Sequence, residues 1–167
     1  DKCIEIIEAD IPNRDHFKLN APHIIFEKTL TLDLGNKICV LEKINSTHSD
    51  DATIIYIPDE KVIFLGDCVY GTTTNSLFHY KQSLLLPMIE DVQKYNAEVF
   101  LLGHESICDL DEMTTFWREL RAASRAVNSI SLENAIESFK LENNRNPNDD
   151  ELFFIKAFVN DYIIQSL

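Results

Sequence analysis

No apolar run in this sequence approaches the roughly 18 residues that a bilayer-spanning helix needs, and no signal peptide opens it. No membrane role is expected. A Lys/Arg cluster is also missing. Acidic residues outnumber basic ones 28 to 15, the net charge is −13 and the isoelectric point is about 4.7. Such a surface repels a phosphate backbone, which argues against nucleic-acid binding as the main role. None of the four cysteines, Cys3, Cys39, Cys68 and Cys108, is paired as C-x-x-C. Three lie in apolar, strand-like stretches, where cysteine usually acts as a small buried hydrophobe. That pattern fits a reducing compartment, the cytoplasm, better than a disulfide scaffold. Repeats and low-complexity tracts are absent too.

What is present is enough for a real core: 45% of the 167 residues are apolar. The pattern changes near residue 75. Before it, short strands dominate. Cys3 to Glu8 leans to β, and Ile24 to Leu34 reads as one or two strands ending at the turn signal Asp33-Leu34-Gly35-Asn36. Lys37 to Ile44 is its hairpin partner. Ala52 to Ile57 and Lys61 to Leu65, both rich in β-branched residues and separated by Pro58-Asp59-Glu60, form a second hairpin. After it the spacing becomes helical. Ser76 to Tyr95 predicts a helix kinked or broken at Pro87. Glu98 to Leu102 predicts a strand, and Asp111 to Asn128 and Ser131 to Asn143 predict helices. A last helix over 149–165 is announced by Asn148 and Glu151, spaced as a capping box.

Three residues of metal-ligand type stand at strand ends, where loops gather and sites are built. His48 lies in the polar loop Asn45 to Asp51. Asp67 follows Val62-Ile63-Phe64-Leu65-Gly66, and His104 follows Val99-Phe100-Leu101-Leu102-Gly103. Imidazole and carboxylate are ordinary ligands of zinc and similar divalent metals. A glycine directly before Asp67 and before His104 permits a sharp turn or a close backbone approach. Singly, each has a structural explanation: a loop histidine, an aspartate capping the next turn, a surface histidine. Their order and context together favour a site. Cys68 is a poor nucleophile candidate, because the neighbouring Asp67 disfavours its thiolate. Glu105 reads as a solvated loop charge before a general base, and His23 and His79 as ordinary, isolated histidines.

Thr47-His48-Ser49-Asp50-Asp51-Ala52 through Ile57-Pro58-Asp59-Glu60-Lys61-Val62-Ile63-Phe64-Leu65-Gly66-Asp67 resembles the metallo-β-lactamase superfamily, in which a histidine precedes a hairpin ending in Gly-Asp and a later strand ends in Gly-His. Leu30 to Gly35 resembles the strand and turn before that histidine. The resemblance covers about Pro22 to Glu105, roughly half of the chain. It implies that His48 binds a first metal, Asp67 bridges two metals and His104 binds the second, with Asp50 or Asp51 orienting His48 or simply bonding within the loop. The implied cofactor is a pair of divalent metals, zinc first, with iron or manganese as alternatives, acting on a small-molecule substrate. Lactones, thioesters, β-lactams and phosphodiesters all remain open.

The family's His-x-His-x-Asp-His loop, which supplies most of the ligands, is absent. Asn13-Arg14-Asp15-His16 holds only its Asp-His pair. A chain that opens on Asp1 is therefore expected to be the C-terminal, sheet-plus-helices half of an α/β (α+β) domain, an αββα sandwich. It would be inactive as a fragment and would pair with its missing N-terminal half or with another copy. Residues 1–130 are assigned to that half-domain and 131–167 to a helical hairpin appendage that packs on it, lines the substrate pocket or dimerises. The rival expectation is a non-catalytic binding or regulatory domain whose helical tail is its partner surface.

Overall fold

The computed structural model describes residues 2–11 and 20–167. Its first helix, α1 (Lys2–Asp10), replaces the strand expected over Cys3 to Glu8. Cys3, Ile6 and Ile7 also satisfy a helical spacing, and Glu5, Glu8 and Ala9 form helices more readily than strands. The segment Asn13 to His16 lies outside the described residues.

Among the described residues, six strands form the main sheet, in the order β1-β2-β3-β4-β7-β8. β1 (Thr29–Asp33) and β2 (Ile38–Ile44) form the first expected hairpin, and β3 (Ala52–Ile57) and β4 (Val62–Gly66) the second. Pro58–Glu60 closes the second hairpin as a 3-10 turn ending on left-handed Lys61 (φ 53°). The chain then leaves the sheet. β5 (Thr72–Thr74) and β6 (Leu77–His79) form a separate small hairpin, and α2 (Gln82–Gln93) follows, with Pro87 inside it. The helix expected from Ser76 thus begins six residues later. Asn75 and Ser76 adopt φ of 51° and 65°, the pair of left-handed residues that a two-residue hairpin turn requires. β7 (Val99–Leu102) returns parallel to β4, and the two-residue β8 (Cys108–Asp109) pairs antiparallel with β7. Helices α3 (Leu110–Ala126), α4 (Leu132–Asn143) and α5 (Asp149–Gln165) complete the chain. Together these elements make a mixed α/β structure, as the sequence pattern predicts. No helix among the described residues is long and apolar enough to cross a membrane.

The two faces of the sheet differ. On one face Ile54, Ile63 and Leu65 are 0–1% exposed. They belong to an apolar cluster that continues through α2 and α3 to Phe154, Ile155 and Phe158 of α5. On the other face, cross-strand partners put Leu30 beside Leu41, Leu41 beside Ile55, Ile55 beside Phe64, and Phe64 beside Leu101. None of these side chains is buried, and Phe64 is 40% exposed. A sheet face this continuous and apolar is of the kind that associates. The isolated chain is therefore expected to self-associate through it. Phe64→Lys should shift sedimentation toward monomer and leave the melting temperature within a few degrees, as for other surface changes. A native chain that sediments as a monomer at high micromolar concentration would contradict this.

The start of α5 carries a second feature. The Asn148 side chain accepts from the Glu151 backbone N–H at 2.7 Å, and the Glu151 carboxylate accepts from the Asn148 N–H at 2.9 Å. Glu151 is 1% exposed and also holds Arg145 in a two-pronged ion pair at 2.5 and 2.6 Å. The guanidinium beside it holds its carboxyl below the usual carboxylate range. A depressed folded pKa stabilises the fold above the unfolded value, near 4.3 for Glu, and that stability is lost as pH falls through the folded value. Glu151→Gln, which keeps a capping side chain but no charge, should therefore melt several degrees below the native chain at pH 7. The gap should close below about pH 4 in a pH series of thermal melts.

Candidate functional site

The loop before β3 fixes His48 from both sides. Ser46 is buried, and its hydroxyl accepts from the backbone N–H groups of His48 and Ser49 at 3.1 and 3.0 Å. Thr47, fully buried, donates its hydroxyl to the Tyr70 carbonyl at 2.8 Å. The His48 ring then meets the Gly71 carbonyl through Nδ1 at 2.7 Å. A carbonyl only accepts, so Nδ1 carries the proton and the Nε2 lone pair is left for a ligand. That nitrogen lies 4.0 Å from Asp67 Oδ2.

Asp67 owes its aim to the end of β4. Register against β7 slips between Phe64 and Gly66, a bulge, and Gly66 sits at φ +52°. Bulges redirect the side chain that follows. On the adjacent parallel strand, Gly103 N–H donates to Gly66 O at 2.9 Å. A Cβ on Gly103 would overlap Asp67 Oδ1, so the glycine is there to let that carboxylate through. His104 follows, with Nε2 at 3.3 Å from Asp67 Oδ1. Its ring lies against Tyr70, with centroids 5.8 Å apart. The carboxylate of Asp67 therefore has a different imidazole facing each of its oxygens.

The other candidates fall elsewhere. Asp50 is exposed and turns to Lys81 at 3.1 Å, Asp51 is exposed, and the group behind His48 is the Gly71 carbonyl. Cys68 is buried, and burial together with Asp67 pushes its thiol up to about 12, which removes it as a nucleophile. Glu105 is exposed and lines the cavity beside His104. His79 is not isolated: it is buried, with Nδ1 at 3.0 Å from Asp161 Oδ1 and Nε2 at 3.1 Å from Thr74 Oγ1. Nothing in its local sequence foretells a partner that far along the chain.

His48, Asp67 and His104 open into a cavity of about 1060 Å³. Among the described residues, no three His, Cys, Asp or Glu side chains converge to hold one metal ion. The three side chains are of donor types that zinc takes, and three donors fall short of the four it needs.

No family model and no curated protein matches the sequence. Solved structures do. A metallo-beta-lactamase from Pontibacter korlensis is 20% identical, with a TM-score of 0.48 over 68% of this chain and 52% of its own. An inverting sec-alkylsulfatase from Pseudomonas sp. is 18% identical, with a TM-score of 0.50 over 82% of this chain and 24% of its own. An archaeal metallo-beta-lactamase superfamily protein from Sulfolobus tokodaii is 18% identical, with a TM-score of 0.43 over 72% of this chain and 49% of its own. The chain spans about half the length of the first and third and about a quarter of the second. At these identities the likeness is one of fold alone: over 82% of its length the chain resembles part of the sec-alkylsulfatase structure.

Proposed function

We propose that this chain is the C-terminal part of a metal-dependent hydrolase of the metallo-β-lactamase type, acting on a small molecule. The observation that carries the reading is the Asp67 carboxylate set between His48 and His104 in the lining of a large cavity. In it, His48 and His104 would each hold one divalent metal, with zinc the first choice, and Asp67 would hold both. Bound there, such metals acidify water and polarise the bond under attack. The chain's own residues orient the donors: the Gly71 carbonyl fixes the His48 tautomer, Tyr70 packs against His104, and Gly103 makes room for Asp67. The remaining ligands would come from a second half docked on the apolar sheet face, so the isolated chain would bind metal weakly and turn nothing over.

The absence of three converging donors among the described residues favours a rival reading, a non-catalytic binding domain. Zinc content after equilibrium dialysis separates the two. The native chain should retain zinc, and His104→Ala should retain at least about tenfold less at limiting metal, since losing even a group that only orients a ligand costs about that much. Equal content in both would favour the binding domain.

A further inference from the structure

A second cavity, of about 330 Å³, lies where the end of α2, the link to β7, β7 itself and α3 meet. That is the lower end of small-molecule sites, roughly 300 to 1,000 Å³. Val92, Ala97, Phe100 and Met113 give it buried apolar walls. In a chain of net charge −13, no Asp, Glu, Lys or Arg lines it among the described residues. It is not sealed, because Leu110 and Thr114 in its lining are exposed. Met113, 1% exposed, also lines the cavity beside Asp67, so the two spaces share one side chain as a wall.

Two polar groups in the lining are committed elsewhere. Tyr95 donates its hydroxyl to Glu42 at 2.7 Å, and the Gln93 side-chain oxygen accepts from Arg121 at 3.0 Å. Trp117 is different. Its side chain is buried, and an indole N–H can only donate. No acceptor among the described residues meets it, yet no buried side-chain nitrogen or oxygen is shut away there without a partner. The N–H therefore reaches open space, and the space its ring borders is this cavity.

From one donor set among uncharged apolar walls, we propose that this cavity is a second small-molecule site, for an uncharged ring compound carrying one carbonyl oxygen. The ring covers Phe100 and Met113, and the carbonyl accepts from the Trp117 N–H. A charged ligand would lose its water here and gain no counter-charge. The site stands whether or not the chain binds metal.

The chain has one tryptophan and two methionines, so one indole N–H signal and two methionine methyl signals read the site by NMR. Acetophenone titrated into the full chain should move the indole N–H downfield and shift the Met113 methyl, with a Kd of about 1 mM for so small a ligand. Met88, buried in α2 and outside both linings, should keep its signal. Benzoate, of similar size but charged, should bind at least about tenfold more weakly. Ala97→Leu fills the cavity and should abolish binding, with the Met88 methyl at its native position as proof of folding. Trp117→Phe keeps a ring and loses the N–H, and should weaken binding several-fold at the Met113 methyl. An indole signal unmoved to about 10 mM acetophenone would overturn the proposal. So would equal binding of benzoate, or native-like binding in Ala97→Leu. A shift of Met113 without the indole N–H would put acetophenone in the cavity beside Asp67, and overturns it too.

Discussion

Asp161→Ala is expected to lower the melting temperature by about 6 to 20 °C. Leaving a buried polar group unsatisfied costs about 1–3 kcal/mol, about 3–5 kcal/mol for His79 and the Gln82 N–H together, and a domain of this size moves about 2–4 °C per kcal/mol. Asp161 and His79 are each 4% exposed at the side chain. One carboxylate oxygen takes His79, and the other accepts from the Gln82 backbone N–H at 3.1 Å and the Gln165 side chain at 2.7 Å. Alanine would strand His79 and the Gln82 N–H, while Gln165, exposed at the end of α5, can turn to water. Asp161→Asn, which keeps one acceptor oxygen and the shape, should lose less. The pair also joins α5 to the β5–β6 hairpin, so the alanine variant should loosen the packing of Phe153 on Phe78 in parallel with stability. Thermal melts of the native chain and the two variants decide it. A fall below about 2 °C for alanine would show that this contact does not hold α5 in place.

Where the fold could be read from the sequence, the governing interactions are short-range. The β3–β4 hairpin is written in two β-branched runs around Pro58-Asp59-Glu60, and the α5 start in Asn148 and Glu151 three residues apart. The β5–β6 hairpin was missed because helical spacing after Ser76 masks a two-residue turn built on Asn75 and Ser76, whose left-handed backbone no apolar pattern reveals. Cys3 to Glu8 failed for a related reason: a short run of isoleucines satisfies both periods. The site divides along the same line. Gly66-Asp67 and Gly103-His104 each follow an apolar strand and stand out in sequence. The Gly71 carbonyl that sets the His48 tautomer belongs to backbone 23 residues away, and Asp161 lies 82 residues beyond the histidine it pairs with. Phe153 reaches the cavity only because α3, α5 and β6 pack together, which no local pattern encodes.

Gly103→Ala should separate the site from the fold. The new methyl group would fall on Asp67 Oδ1, while its nearest backbone neighbour, the Gly66 carbonyl carbon, would be 3.3 Å away. The strand pairing Gly103 N–H to Gly66 O can absorb a few tenths of an ångström, but the carboxylate must swing away. Asp67 is 41% exposed at its side chain, so it can rotate toward solvent without opening the core. The melting temperature should therefore change by only a few degrees. Zinc affinity should drop about 10- to 100-fold, the cost of misaiming a ligand, because the one side chain facing both histidines no longer does so. Calorimetric titration of zinc into native, Gly103→Ala and Asp67→Ala chains measures this. Gly103→Ala should resemble Asp67→Ala in metal binding and the native chain in stability. Native-like zinc affinity in Gly103→Ala would mean that Asp67 does not bind metal in the orientation it holds between His48 and His104.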